Sequence, residues 1–115
     1  MFTEGGFQLN TQEYQRLAGR TCATTEQAET MKLALIGMQG ELGEISEPIK
    51  KYLYSGHALD MPHLEQEIGD LLWYLANLCT SVHIDMESAM QKNIEKLARR
   101  YPDGFSCEKS IHRAV

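Results

Sequence analysis

Basic clusters, paired cysteines, strand-like alternation and long apolar stretches are all missing from this chain, and each absence closes a route. Lys and Arg number 11 against 16 Asp and Glu, for a formal net charge of −5. No stretch gathers the positive residues into a face that nucleic-acid phosphates would favour, so no nucleic-acid partner is expected. Cys22, Cys79 and Cys107 are odd in number, widely spaced and without a C-x-x-C pair. That pattern reads as reduced thiols in a cytoplasmic protein. The longest apolar run, IGDLLWYLANLC, is too short and too interrupted to span a bilayer, and MFTEGGFQLN has neither the charged nor the apolar region of a secretory signal. No E-x-x-H occurs, which disfavours a ferritin-like di-iron site, and no H-E-x-x-H or cysteine set offers ligands for zinc. Alternating runs bounded by turn dipeptides are almost absent, so a sheet is not expected.

What is present is helical. Asn10 and Glu13 form a capping-box pattern that opens a helix to about Arg20, and Thr24 with Gln27 forms a second start, followed by helical periodicity to about Tyr54. Gly56 suits the end of that helix, and Pro62 suits the first turn of a third, which runs to about Ser81. Asp85 caps a fourth helix to about Arg100, ended by Pro102 and Gly104. The 115 residues suit a single domain, residues 1–115. A core of that size is thin in one copy, so an all-α bundle of about four helices, two of them long and completed by oligomerisation, is expected.

On a helical wheel the third helix has a wide apolar stripe of Leu64, Ile68, Leu71, Leu72, Leu75, Leu78, Cys79 and Val82. Along one edge run Glu67, Asp70, Tyr74, Asn77 and Ser81. The second helix has Met31, Leu35, Met38, Leu42, Ile45, Ile49 and Leu53 on its main apolar face. Gly37, Gly40, Glu41, Glu44, Glu47 and Lys51 lie on a different side. A glycine inside a helix costs about 1 kcal/mol against Ala, so glycines beside carboxylates point to a close approach by another group. Pro48 removes the hydrogen bond to the Glu44 carbonyl and predicts a kink.

Glu41 and Glu44 form E-x-x-E, and Glu67 and Asp70 form E-x-x-D; residues three apart share a helical face. Antiparallel packing through the short connecting loop brings the two pairs face to face. Four carboxylates together repel, and either a proton or a hard divalent cation such as Mg²⁺ relieves them. Such pairs are otherwise ordinary solvated surface, and that reading stays open beside the metal one.

The segments GMQGELGEISEPIKK, EQEIGDLLWYLANL and NIEKLARRYPDGFS, in this order, resemble the MazG-like family of nucleoside triphosphate pyrophosphohydrolases, within the all-α NTP pyrophosphatase superfamily. The resemblance is strongest over residues 33–106. It implies an enzyme that hydrolyses a (d)NTP at the α-phosphorus to (d)NMP and pyrophosphate, clearing unwanted nucleotides, with Mg²⁺ as cofactor and Mn²⁺ as a substitute. By this resemblance Glu41, Glu44, Glu67 and Asp70 are metal ligands. Tyr74, Asn93 and Lys96 contact the nucleotide, and Lys50 or Lys51 meets phosphate charge. Asn77, in the same row as Tyr74, is counted with the substrate contacts. Glu41, Glu44 and Glu47 are all candidates to take the proton of the attacking water. The assembly expected is a homodimer or homotetramer. Pro48 departs from the family, which commonly has a helix former there.

Two other readings stand. One is a non-catalytic helical association module whose acids hold a structural cation or stay solvated. The other is hydrolysis at the phosphoribosyl-ATP step, within the same superfamily, which RYPDGF and LWYLANL fit less well. Trp73, opposite the apolar stripe of its helix, is expected at an interface or as a nucleotide wall. His57, His63, His83 and His112 are expected to be solvated. The RRYPDGFS tail is either a helix stop or a segment folded over the site or a neighbour. Part of the base-selecting pocket is expected from residues 2–20.

Overall fold

Helix starts in this chain follow the need to satisfy orphan backbone amides, and the computed structural model, which describes residues 8–113, shows how each is met. The side chain of Asn10 accepts from the Glu13 amide at 2.9 Å, Asp60 from that of His63 at 3.1 Å, and Asp85 from that of Glu87 at 3.0 Å. They open α1 (Thr11–Arg20), α3 (Met61–Ser81) and α4 (Met86–Arg100). The start of α2 (Gln27–Tyr54) corrects the expectation placed on Thr24. Glu26 is the cap, its carboxylate accepting from the amides of Ala28 at 3.1 Å and Glu29 at 2.8 Å. Thr24 shapes the preceding turn instead, its hydroxyl accepting from the Glu26 amide at 3.1 Å. A carboxylate reaches two amides and also sets a negative charge at the positive end of the helix, which a hydroxyl does not.

A fifth helix, α5 (Cys107–Ile111), is capped by Ser106 and adds to the four expected; it is too short to leave a periodic signal. α4 ends at Arg100, so RRYPDGFS does act as a helix stop, and Ser106 at its end caps α5. α2 continues through Pro48 to Tyr54. No strand occurs among the described residues, so the all-α expectation is met. Among them, too, no helix is long and apolar enough to cross a membrane. Of the base-pocket segment expected at residues 2–20, residues 2–7 lie outside the described ones.

The longest helix contact is between α2 and α3; α1 packs on α3, and α4 packs on α1. The small core consists of Ala18, Ala76, Cys79 and Met86, with Tyr14 and Trp73 packed against it. Trp73 is therefore half-buried against this core, and its indole donates to the Thr21 hydroxyl at 2.8 Å. The face of α3 that the wheel left outside is the one α1 covers. The α2 residues that become buried are small, Thr30 and Ala34. Much of the broad apolar stripes stays open: Leu35, Leu42, Ile68, Leu72, Leu75, Met90 and Ile94 are all exposed. The accessible surface is 8662 Å², against about 6,300 Å² for a folded monomer of this mass. The radius of gyration is 17.7 Å, against about 13 Å for a self-contained domain of this length.

Candidate metal and nucleotide site

The acids are positioned by the antiparallel seam of α2 and α3. At one end the Gln27 side-chain amide donates to the Ser81 carbonyl at 2.9 Å. Further along, Gly37 faces the ring of Tyr74, and one helical turn beyond, Glu41 meets Asp70 and Glu67. Each step forward on α2 is matched by a step back on α3, so E-x-x-E and E-x-x-D approach as the spacing predicts.

Glu41, Glu67 and Asp70 can each offer one carboxylate oxygen, all lying within 4.8 Å of one another. Glu41 and Glu67 are half-buried and Asp70 is exposed. Glu41 Oε2 is shielded from solvent and has no hydrogen-bond partner among the described residues. The pKa of the Glu41 carboxyl is pushed up to about 7, first because the Glu67 carboxyl alongside favours a proton held between them. Burial adds to this, as do the charges of Glu67, Asp70 and Glu44. The shielding is local, by neighbouring side chains, and not by depth in the protein. Like charges held together with one orphaned oxygen are the conditions in which a carboxylate keeps a proton or takes a cation. Oxygen donors of this kind, on an open face, fit a hard divalent cation that retains water or phosphate oxygens as further ligands.

The fourth acid stands apart. Glu44 is exposed and outside the group of three, yet close enough for its charge to raise the Glu41 pKa. Glu47 is drawn away from the site, paired with Lys50 at 3.3 Å and with Lys51 at 3.8 Å. Lys51 thus has a carboxylate partner of its own. Tyr74 lies on the seam beside the cluster. Asn77 is buried, and its amide nitrogen donates to the carbonyls of Ala18 at 3.3 Å and Trp73 at 3.1 Å. In this structure the Asn77 amide ties α3 to α1. Asn93 and Lys96 are exposed on α4, and no contact among the described residues links them to the acids.

Two neighbours escaped the sequence reading. His63 is exposed, as expected, and its Nε2 also lies 3.6 Å from Glu67 Oε1; the signal for that contact was the four-residue spacing of His63 and Glu67. Tyr14, from α1, donates to the Gly69 carbonyl at 3.5 Å, and its pKa is raised by burial and then by the charge of Asp70. Nothing in the spacing of α1 announces that neighbour, because it depends on how α1 crosses α3.

Comparison with known proteins bears on this arrangement. Residues 26–105 match the model of the MazG nucleotide pyrophosphohydrolase domain. Over 80 residues the chain is 30% identical to the Gene 37 protein of Mycobacterium phage L5, covering 66% of this chain and 70% of that protein. No solved structure matches it. The matched stretch contains both acid motifs and the seam that joins them, and the chain belongs to the MazG nucleotide pyrophosphohydrolase domain family.

Proposed function

We propose that this protein is a Mg²⁺-dependent nucleotide pyrophosphohydrolase that converts a (d)NTP to (d)NMP and pyrophosphate, a cytoplasmic activity that removes unwanted nucleotides. The observation that carries the reading is the group Glu41, Glu67 and Asp70, with its orphaned oxygen, on the seam of a MazG-family chain. These three carboxylates would hold Mg²⁺, with Glu44 as the nearest further acid and Mn²⁺ as a substitute. Bound there, the cation would supply neutralisation of phosphate charge and a fixed orientation for the triphosphate.

The chain's own residues account for the rest. Water attacks the α-phosphorus, the bond to the bridging oxygen of the β-phosphate breaks, and pyrophosphate leaves. The water's proton passes to a carboxylate, and we assign that role to Glu44. Glu41 is committed to the cluster and Glu47 to its lysines, whereas Glu44 borders the cluster without belonging to it. Tyr74 contacts the nucleotide from the next turn of α3. Lys51 exchanges its Glu47 partner for phosphate charge. Asn93 and Lys96 reach the nucleotide only from the α4 of a second copy in a homodimer or homotetramer.

The test is pyrophosphate release from a panel of NTPs and dNTPs with Mg²⁺, comparing the parent with Glu41→Gln and Asp70→Asn. Metal-dependent release, reduced at least a hundredfold in both folded variants, is the outcome expected when cation ligands are lost. An inactive parent, with variants at least as stable, would return the acids to a structural or unused cluster in an association module.

A further inference from the structure

We propose that Gly37 is a positioning residue for nucleotide recognition: its bare backbone seats the ring of Tyr74 against α2, one turn from the carboxylate cluster, and so fixes where that ring meets the nucleotide. The proposal rests on the pyrophosphohydrolase reading above and adds to it a residue that touches neither metal nor substrate.

The geometry singles out this glycine. A Cβ built on Gly37 would lie 2.1 Å from Tyr74 Cε1 and 2.4 Å from both Cδ1 and Cζ, an overlap no packing tolerates. On the same helix, a Cβ at Gly40 or Gly43 would meet nothing within 4 Å among the described residues. The helix-propensity cost of a glycine at position 37 is therefore tied to one aromatic ring. That ring is also braced from the side. Trp73 meets it edge-to-face, with centroids 5.1 Å apart and planes at 84°, and Trp73 is itself anchored through its indole to Thr21. Tyr74 thus has a floor in the Gly37 backbone and a wall in Trp73. The same spacing that sets Gly37 one turn before Glu41 sets Tyr74 one turn after Asp70, so the ring occupies the rung next to the acids. A ring fixed before binding loses little freedom when a nucleotide arrives. An extra methyl group at position 37 pushes it off that rung while leaving the acids in place.

The test uses Gly37→Ala, Tyr74→Ala and the double variant. The chain holds one tryptophan, so Trp73 emission reports on the adjoining ring directly. Binding is measured with Mg²⁺ and a nucleotide whose α,β-bridging oxygen is replaced by methylene, beside steady-state kcat and KM on the best substrate. Gly37→Ala is expected to change Trp73 emission and raise KM on the order of tenfold, with analogue affinity falling in parallel and kcat and Mg²⁺ affinity little altered. In the Tyr74→Ala background it should add nothing to KM, because the clash is gone. A changed emission with unchanged nucleotide affinity would reduce the contact to packing and overturn the proposal. Equal losses in both backgrounds would overturn it too, by locating the effect in the α2 backbone. Should Gly37→Ala fail to fold, Tyr74→Leu decides: an unaltered KM there removes Tyr74 from recognition. A parent that neither binds nor turns over any nucleotide sinks the pyrophosphohydrolase reading itself, and this role with it. An active parent with indifferent variants sinks only this role.

Discussion

Glu41 is the residue on which most of the local physics converges. Its carboxyl is held at a pKa of about 7 against an ordinary value of 4.5, so the folded chain binds a proton there more tightly than the unfolded one does. For a raised pKa, the stabilisation is fully present below the unfolded value and is lost as pH rises through the folded one. Without divalent cations, Glu41 should therefore weaken the fold progressively between about pH 4.5 and 7. Urea unfolding of the parent and Glu41→Gln at pH 5 and pH 8 tests this. The variant should gain on the parent at pH 8, and millimolar Mg²⁺ should reverse that gain by stabilising only the parent. An equal gap at both pH values would mean that Glu41 is not strained by its neighbours. Glu44 is distinguished by a different readout. If it takes the proton, Glu44→Gln should lower kcat by about 10²–10⁴-fold and leave Mg²⁺ affinity, followed by calorimetry, nearly unchanged. A matching loss of Mg²⁺ affinity would make it a ligand.

At the scale of elements, helix ends proved more legible than helix faces. Asn10 and Asp85 cap as their sequence positions imply, Pro62 falls in the first turn of α3, and the boundaries followed to within a residue or two. The end of α3 carries a feature that only backbone geometry reveals. The amide of Ile84 donates to the Cys79 carbonyl at 2.8 Å and that of His83 to the Thr80 carbonyl at 3.2 Å, with His83 at φ 60. This is the Schellman arrangement, and its left-handed position is most often a glycine. His83→Gly removes the steric cost of a side chain there and, after the added chain entropy of glycine, should stabilise by about 0.5–1 kcal/mol. Thermal unfolding at a fixed protein concentration should show a rise of a few degrees; a fall would mean that the imidazole contributes something larger than the strain. Faces were misread for a physical reason. The wheel takes the widest apolar stripe as the core, but α2 meets α3 through Gly37 against the ring of Tyr74, and the α2 residues that become buried are the small Thr30 and Ala34. The acid cluster was legible because three-residue spacing fixes a face whatever packs against it. The packing of Trp73 and Asn77 against α1 was not, because it depends on where α1 crosses α3.

For the whole molecule, the stripes left open are the surface through which the proposed homodimer or homotetramer would form. Ile68, Leu72 and Leu75 on α3 and Met90, Ile94 and Leu97 on α4 are exposed in the single chain, at helical spacing. Apolar side chains in contiguous rows of this kind mark association sites more often than free surface. Fully burying one such side chain contributes roughly 1.5–3 kcal/mol, so a modest number of them exceeds what two copies lose in freedom on association. Ile94 is the sharpest probe, because at 65% exposure it does little for the single chain. Ile94→Asp should leave helicity intact and convert a multimer to a monomer at micromolar concentration, read by sedimentation equilibrium. Asn93 and Lys96 are carried by the same helix as Ile94, so losing the assembly through this substitution should raise KM, and parent activity per chain should fall on dilution through the dissociation range. An unchanged mass in Ile94→Asp would remove this part of α4 from the interface. A monomeric parent with full activity at every concentration would show that one chain completes the site, and Asn93 and Lys96 would then leave the list of nucleotide contacts.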